Sequence, residues 1–495
     1  MIAPLEFLSL ALAALVGWFS VRLWVPDAGG RSHWAPVLHA TLGIALGAGV
    51  TSCLYFLLLL AGAAKLPVVL GAETLALLAC AGADWYKRRA APTPAITGSI
   101  LPAFPWNGPL AIAAAGMAAL FVAAFLNFSE LNPQGGWDAF AIWNLRAHFL
   151  LHSETWRYAV TAQPTGTHME YPLLLSSFIA RGWLYGGGIS SAIPIAIALL
   201  FSLALAALLS STLSVVRSTG AGLLAGLILL ANQFLFSAAP DQYADLPLAF
   251  FALAAAALLL LDPLPHGSPR YLTLAGLFAG FAVWTKNEGA LFMVALAAAL
   301  LATAWRSAGP RRAMRQCGLF LLGALPVLCL VFWFKLFAAP PDPLMGGMGN
   351  ALLHKIGDPG RWLHVASGFI KGLPGVPLLL LGLAAGLLRP RRADQCTPAA
   401  FLPLIAFAIM LAGYFAIFLM SPDELDWLFS TALDRLYLQL WPLLVLAVFL
   451  LLRRPEDFAI LKAPTKSVTT DRTQRTATVK RRFQKGDQPG RRAIE

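Results

Sequence analysis

Asp138, Asp241, Asp245, Lys286, Glu288 and Arg435 are ionisable residues placed at the ends of, or within, long apolar runs. Charge at membrane depth is costly, so each marks a site by default. Asp138 stands in GGWDAFAIWNLRA, on a turn preceded by two glycines. A carboxylate there can take the proton of a hydroxyl nucleophile within hydrogen-bond reach, or it can N-cap the helix that follows. Asp241, Tyr243 and Asp245 share SAAPDQYADLPLAFF, where Pro247 fits a helix start and Asp245 its cap. A capping Asp can also orient a catalytic group. WTKNEGALF sets Lys286, Asn287 and Glu288 in succession within the otherwise apolar stretch Tyr271 to Trp305. Lys286 can attract a phosphate, snorkel to the interface or pair with Glu288. The segment itself reads as a tight turn between spans or as a broken helix. Arg435 lies at the mouth of the last apolar run, in SPDELDWLFSTALDRLYLQLWPL. A guanidinium there can clamp a phosphate bidentately, or anchor the interface beside Tyr437 and Trp441.

These residues are organised around the stretch Asn132 to Pro172. In it Asp138, Arg146, His148, His152, Glu154, Arg157, His168 and Glu170 alternate with Trp137, Phe140, Trp143, Phe149 and Trp156. A loop of this length is functional or disordered, and its aromatic content argues against disorder. Phe140, Trp143, Leu145, Phe149 and Leu150 predict an amphipathic helix along the bilayer surface. His148 and His152 are i, i+4, a spacing that suits a metal. No HExxH pattern accompanies them, so they leave room for a divalent metal without defining its site.

The elements that must position this loop are membrane spans. The chain has 495 residues, 58% hydrophobic and 12% charged, against roughly 25% charged in a soluble domain. The pattern predicts an all-α polytopic membrane protein with about thirteen transmembrane helices. They fall near 5–24, 37–60, 66–83, 109–128, 192–214, 219–236, 246–261, 271–285, 289–305, 317–337, 372–388, 399–420 and 436–452. The first run has no basic n-region and no small-residue cleavage site, so it reads as a retained span. The five cysteines show no CxxC or Cys/His metal spacing.

The net charge of +12 is concentrated: Arg453 to Glu495 holds 12 Lys/Arg against 5 Asp/Glu. Most other basic residues fall in short loops, at Lys87-Arg88-Arg89, Arg306, Arg311-Arg312-Arg315 and Arg389, Arg391-Arg392. The positive-inside rule places these loops and the tail in the cytoplasm. The tail has the composition of a solvated, disordered segment, with an anionic leaflet rather than nucleic acid as its neighbour. Treating Tyr171 to Tyr185 as a surface helix keeps this map consistent. The central loop, Asp241/Asp245, the WTKNEG turn, and the 338–371 and 421–435 loops then share the external face. The expected organisation is a three-span N-terminal module with a basic linker (1–107), a transmembrane core (108–454) whose external loop spans 128–191, and a basic tail (455–495).

An acidic residue in the first external loop of the core, a second Asp before a later span and a polar turn containing Lys resemble the GT-C glycosyltransferases. In particular they resemble the class of the protein O-mannosyltransferases and the lipid A aminoarabinose transferase. GWDAFAIWNLRA, HMEYPLLLSSFIARGW, YADLPLAFF, WTKNEGALF and DRLYLQLWPL resemble segments of its uncharacterised bacterial members, over about Gly108 to Pro442. The resemblance implies a GT-C fold with external amphipathic juxtamembrane helices in a bacterial inner membrane. It implies transfer of a sugar from a polyprenyl-phosphate donor to a glycan, lipid or protein hydroxyl at the external face, by inverting single displacement. Asp138 then matches the catalytic base or acceptor-orienting residue and Asp245 the second acidic residue beside the site. Lys286 matches a lysine near the donor phosphate, and Glu170 a site-facing part of the loop. Arg435 and Arg146 are expected helpers at the phosphate, and Tyr243, Asp241, Glu288 and His168 complete the expected substrate contacts. The chain departs from the mannosyltransferases in having a lone Asp138 where they carry an Asp-Glu pair. From another class, a transporter or flippase of a lipid-linked sugar or small polar solute also uses broken helices and buried charge. Transporters often show two corresponding halves, and this sequence shows none.

Overall fold

The computed structural model describes residues 3–90 except 27, 29 and 31, then 107–161, 167–262, 267–341 and 350–457. Part of the basic linker, residues 342–349 of the long loop and nearly all of the basic tail lie outside the described residues. Met1–Pro455 form one compact unit.

Among the described residues every regular element is helical. In chain order these are α1 (Ala3–Trp24), α2 (Ala35–Leu60), α3 (Leu66–Ala90), α4 (Asn107–Leu131), α5 (Leu145–Leu150), α6 (Leu174–Gly186) and α7 (Ala192–Val216). There follow α8 (Thr219–Leu230), α9 (Gln233–Ala238), α10 (Asp245–Leu261), α11 (Pro269–Thr285), α12 (Glu288–Ala308) and α13 (Pro310–Phe337). The last are α14 (Asn350–Gly357), α15 (Pro359–Lys371), α16 (Gly375–Leu388), α17 (Leu402–Met420), α18 (Leu425–Thr431) and α19 (Leu433–Leu451). Among the described residues nine helices are long and apolar enough to cross a membrane. With so many such helices in one chain, this is a multi-pass helical membrane protein.

Several expected spans are broken, for local reasons. The run 219–236 stops at Leu230, where Asn232 caps α9 by accepting the Phe234 N–H at 3.0 Å. The segment before 388 is bent by 71° between α15 and α16. Gly372 and Pro374 lie at that break, and proline removes a backbone donor and restricts the residue before it. The tight-turn reading of WTKNEG holds. α11 ends at Thr285, Lys286 is extended and α12 begins at Glu288. The two helices come back so closely that a Cβ on Gly289 would lie 2.0 Å from the Ala282 carbonyl.

The expected surface helix is not among the helices long and apolar enough to span, but it is not an exposed helix: every residue in α6 except Leu184 is buried, and it packs against α1, α2, α5, α7 and α11. It can be buried because its polar groups find partners inside. Ser176 donates to the Trp143 carbonyl at 2.9 Å. The fully buried Arg181 clasps Glu73 of α3, with Nε to Oε1 at 2.6 Å, and also donates to the Ser9 carbonyl of α1 at 2.8 Å. Tyr185 donates a hydrogen bond to the same carboxylate at 2.7 Å. One ion pair thus ties the first and third helices to the element that follows the central loop.

Breaking such a pair on one side leaves a buried charge without its partner, at a cost of about 3–5 kcal/mol. Glu73→Gln or Arg181→Met alone is expected to lower the unfolding midpoint of the detergent-purified protein sharply. The double variant Glu73→Leu/Arg181→Met is expected to recover most of that loss, because apolar replacement of both partners removes the stranded charge. Thermal unfolding of the three variants measures both outcomes.

Candidate functional site

The loop after α4 is turned toward the α9–α10 connection by its two glycines. Gly135 adopts φ +73°, a conformation that costs glycine little. A Cβ on Gly135 would lie 2.7 Å from the Asp241 carbonyl, and one on Gly136 would lie 2.4 Å from the Tyr243 hydroxyl. The Gly136 N–H donates to the Asp241 carbonyl at 3.1 Å. Gln242, itself at φ +59°, donates to the Pro133 carbonyl and accepts from Asn144, each at 3.2 Å. The pair of glycines therefore exists so that two loops can touch. Asp138 then opens a π-helical turn, Ala139–Asn144, which runs on into α5. π-helical turns are frequent at functional sites.

Neither aspartate serves as a helix cap. The Asp138 side chain makes no cap hydrogen bond, and α10 is preceded by Ala244 with Asp245 as its first residue. Both carboxylates instead meet Arg435 in the first turn of α19. Arg435 Nη2 lies 2.7 Å from Asp138 Oδ2 and 3.0 Å from Asp245 Oδ2, with Nε 3.1 Å from the latter oxygen. The other Asp245 oxygen, Oδ1, accepts from Lys286 Nζ at 3.1 Å and from Gln439 Nε2. Gln439 in turn accepts from the Tyr414 hydroxyl of α17. Lys286 completes its own environment with Glu288 at 2.8 Å. The guanidinium of Arg435 also lies over the Tyr243 ring, 4.4 Å from its centroid.

Burial separates the roles. The Asp245 side chain is 1% exposed and Lys286 4%, so both are interior. Asp138 at 16% and Arg435 at 20% retain access from outside. A carboxylate saturated by two cations and an amide is an anchor, whereas a partly open one beside a cation can meet a ligand. Lys286, enclosed by Asp245 and Glu288, is placed as a counter-ion beneath the site.

A second cluster joins the first through the WTKNEG turn. Lys335, in the last turn of α13, donates to Asn287 Oδ1 at 2.8 Å and to the Glu170 carbonyl at 2.6 Å. Glu170 Oε1 pairs with His168 Nδ1 at 3.0 Å. The His168 ring stacks on Tyr171, and Tyr171 on Trp143, with centroids 4.8 and 5.7 Å apart. Lys286 Nζ lies 5.6 Å from the Tyr171 centroid. The hydrogen bond to Glu170 raises the His168 pKa above its usual value, against the opposing effect of burial. Burial pushes Glu170 up, but the bond to His168 and the charges of His168 and Lys335 outweigh it and hold it low. Asp241 is raised by burial and by the Asp138 charge, with Arg435 opposing.

The structure thus gathers Asp138, Asp241, Tyr243, Asp245, Lys286, Glu288 and Arg435, with His168 and Glu170 next to them through Tyr171 and Lys335. Arg146 stands apart in function. Fully buried, it donates to the Ala159 carbonyl at 2.9 Å and the Met169 carbonyl at 3.2 Å, bracing the loop internally. Burial lowers its pKa to about 9, against the favourable charge of Glu170. Gln439, Tyr414, Tyr171 and Lys335 were not singled out by the sequence. Lys335 in FWFKLF and Gln439 in LQLWPL carried a usable signal, a polar side chain inside an apolar run. His148 and His152 are exposed, and among the described residues no three His, Cys, Asp or Glu side chains converge to hold a metal. Comparison of the chain with protein-family models, characterised proteins and solved structures returns no match.

Two outcomes follow from this geometry. Asp245→Asn strands Lys286 and Arg435 beside a neutral group and is expected to destabilise the protein by about 3–5 kcal/mol. Asp138→Asn, at a partly open position, is expected to leave the unfolding midpoint nearly unchanged; thermal unfolding compares the two. The His168–Glu170 pair carries a pH signature. A raised histidine stabilises the fold most fully below its ordinary value of 6.5 and loses that contribution as pH rises through its folded value. The depressed Glu170 contributes above its ordinary value of 4.5 and loses it as pH falls through its folded value. The stability gap between wild type and His168→Ala is therefore expected to be widest between these limits and to close toward alkaline pH, read as unfolding midpoint against pH.

Proposed function

We propose that the protein is a membrane glycosyltransferase that moves a sugar from a polyprenyl-phosphate donor to a hydroxyl acceptor. The observation that carries this reading is a partly accessible carboxylate, Asp138, held 2.7 Å from an accessible guanidinium, Arg435, above a buried ionic anchor at one rim of the helix assembly. Transfer between a lipid-borne phosphate and a hydroxyl needs these two groups side by side. The acceptor oxygen attacks the anomeric carbon as its proton passes to the Asp138 carboxylate. The bond from that carbon to the phosphate oxygen breaks on the opposite face, giving inversion, and polyprenyl phosphate leaves with the electron pair. Arg435 offers Nη1 to the departing phosphate, since Asp138 and Asp245 take up Nε and Nη2. Preorganised positive charge in a dry site favours that departure. Lys286 and Asp245 fix Arg435 from below, so its orientation precedes substrate binding.

The resemblance to the GT-C class supports this reading. On this reading the site faces the exterior of a bacterial inner membrane, and the positive-inside bias puts the basic loops and the tail in the cytoplasm. The distribution of polar groups favours transfer over transport, because the ionic cluster lies at one rim and does not line a path across.

The test uses proteoliposomes supplied with polyprenyl-phosphate sugars and follows release of free polyprenyl phosphate. Wild type is expected to release it, and Asp138→Asn to slow release by about 10²–10⁴-fold at unchanged thermal stability. Release that survives the substitution moves the base elsewhere. No release from any donor, together with sugar-lipid crossing the bilayer, makes the protein a transporter and overturns the proposal.

A further inference from the structure

The opposite end of the helix assembly carries a polar cleft, which the reading above does not use. It is a cleft of about 650 Å³ bounded by the end of α1, the start of α2, the end of α3 and the start of α11. Its walls include Arg22, Lys87, Arg88 and Arg270 on the charged side and Trp18, Leu23 and Pro36 on the apolar side. Among the described residues Asp84 is the one carboxylate lining it. Arg22 Nη2 and Arg88 Nε both approach the same Asp84 oxygen, at 3.1 and 3.0 Å. Among the described lining residues one carboxylate thus faces four cationic side chains.

One further feature points to an anion. α2 starts here with no side-chain cap hydrogen bond at its N-terminus, and such an N-terminus favours negative charge. At α11, where Arg270 stands in the first turn, the Asp262 carboxylate already accepts the Ser268 N–H at 2.6 Å. A second feature selects a lipid over a soluble ion. Beside the cleft, α3 exposes Leu78, Trp85 and Tyr86, at 64%, 55% and 71%. This is an apolar flank ending in an aromatic pair of the kind that settles at headgroup level. An acyl chain lying along that flank would bring its headgroup to the basic mouth.

We propose that this cleft binds the phosphate headgroup of an anionic phospholipid, in the leaflet opposite the candidate active site. Lys87, whose Nζ reaches the Leu23 carbonyl at 3.5 Å, and Arg270 are both exposed and supply the approachable cations, while Arg22 and Arg88 are held in place by Asp84. Basic pockets between transmembrane helices take anionic headgroups in this way.

The experiment is native mass spectrometry of the full-length protein in neutral detergent. Phosphatidylglycerol, phosphatidylcholine of the same chains, or inorganic phosphate is added in turn. Preferential retention of phosphatidylglycerol is expected, weakened about fivefold for each cation removed in Lys87→Gln and Arg270→Gln. The control is Arg306→Gln/Arg311→Gln, which removes exposed charge from the same end outside the cleft and is expected to retain the lipid. Equal loss in the control pair would reduce the effect to diffuse surface charge and overturn the site. Equal retention of phosphatidylcholine would overturn the anionic selectivity. Binding of inorganic phosphate in preference to the lipid would assign the cleft to a soluble anion instead.

Discussion

A single buried carboxylate, that of Asp245, holds the candidate-site end of this structure together. It accepts from Lys286, Arg435 and Gln439, which belong to the α11–α12 turn and to α19, while Asp245 itself begins α10. Segments far apart in sequence are thus fixed to one pair of oxygens. In an apolar interior a charge persists only with close partners, so each member of the cluster requires the others. That mutual requirement defines the geometry of Arg435, and through Arg435 that of Asp138.

The same logic recurs at Glu73 and Arg181, with a different outcome. There the ion pair is sealed, with side chains 1% and 0% exposed, so nothing from outside reaches it. It secures α6 against α1 and α3, and α6 follows directly on the segment bearing His168, Glu170 and Tyr171. The N-terminal helices therefore belong to the support of the site even though they contribute no group to it. Around Asp138 and Arg435, by contrast, the packing stops short of closure. The two side chains are paired with each other yet stay 16% and 20% exposed, so both can still be reached from outside.

The close approach of the 132–138 and 239–245 loops is a backbone matter. Gly135 and Gly136 let one loop lie against Asp241 and Tyr243, and Gln242 and Asn144 cross-link them by amide hydrogen bonds. Aromatic rings then occupy the remaining space: Tyr243 under Arg435, and Tyr171 between His168 and Trp143. These contacts position charged groups without supplying further charge, so the balance among Asp138, Asp245, Lys286, Glu288 and Arg435 stays local.

The amino-acid sequence by itself determined that the chain is an all-helical membrane protein, because apolar runs of spanning length and so few charges have no soluble alternative. It also marked Asp138, Asp245, Lys286 and Arg435, because a charge in an apolar run is conspicuous wherever it points. It did not determine what those charges touch. Asp138 and Asp245 each read as a helix cap, since a cap needs only the next few residues, whereas their pairing with Arg435 reaches across 190 residues or more. Arg146 and Arg435 look alike in sequence, yet one braces a loop through carbonyls and the other faces two carboxylates. The burial of α6 was likewise invisible, because it depends on Glu73 lying one hundred residues away to neutralise Arg181. Periodicity and charge are local properties and survive in one dimension. Ion pairing, burial and the partition between anchor and open group are set by which helix ends meet, and only the tertiary structure decided that.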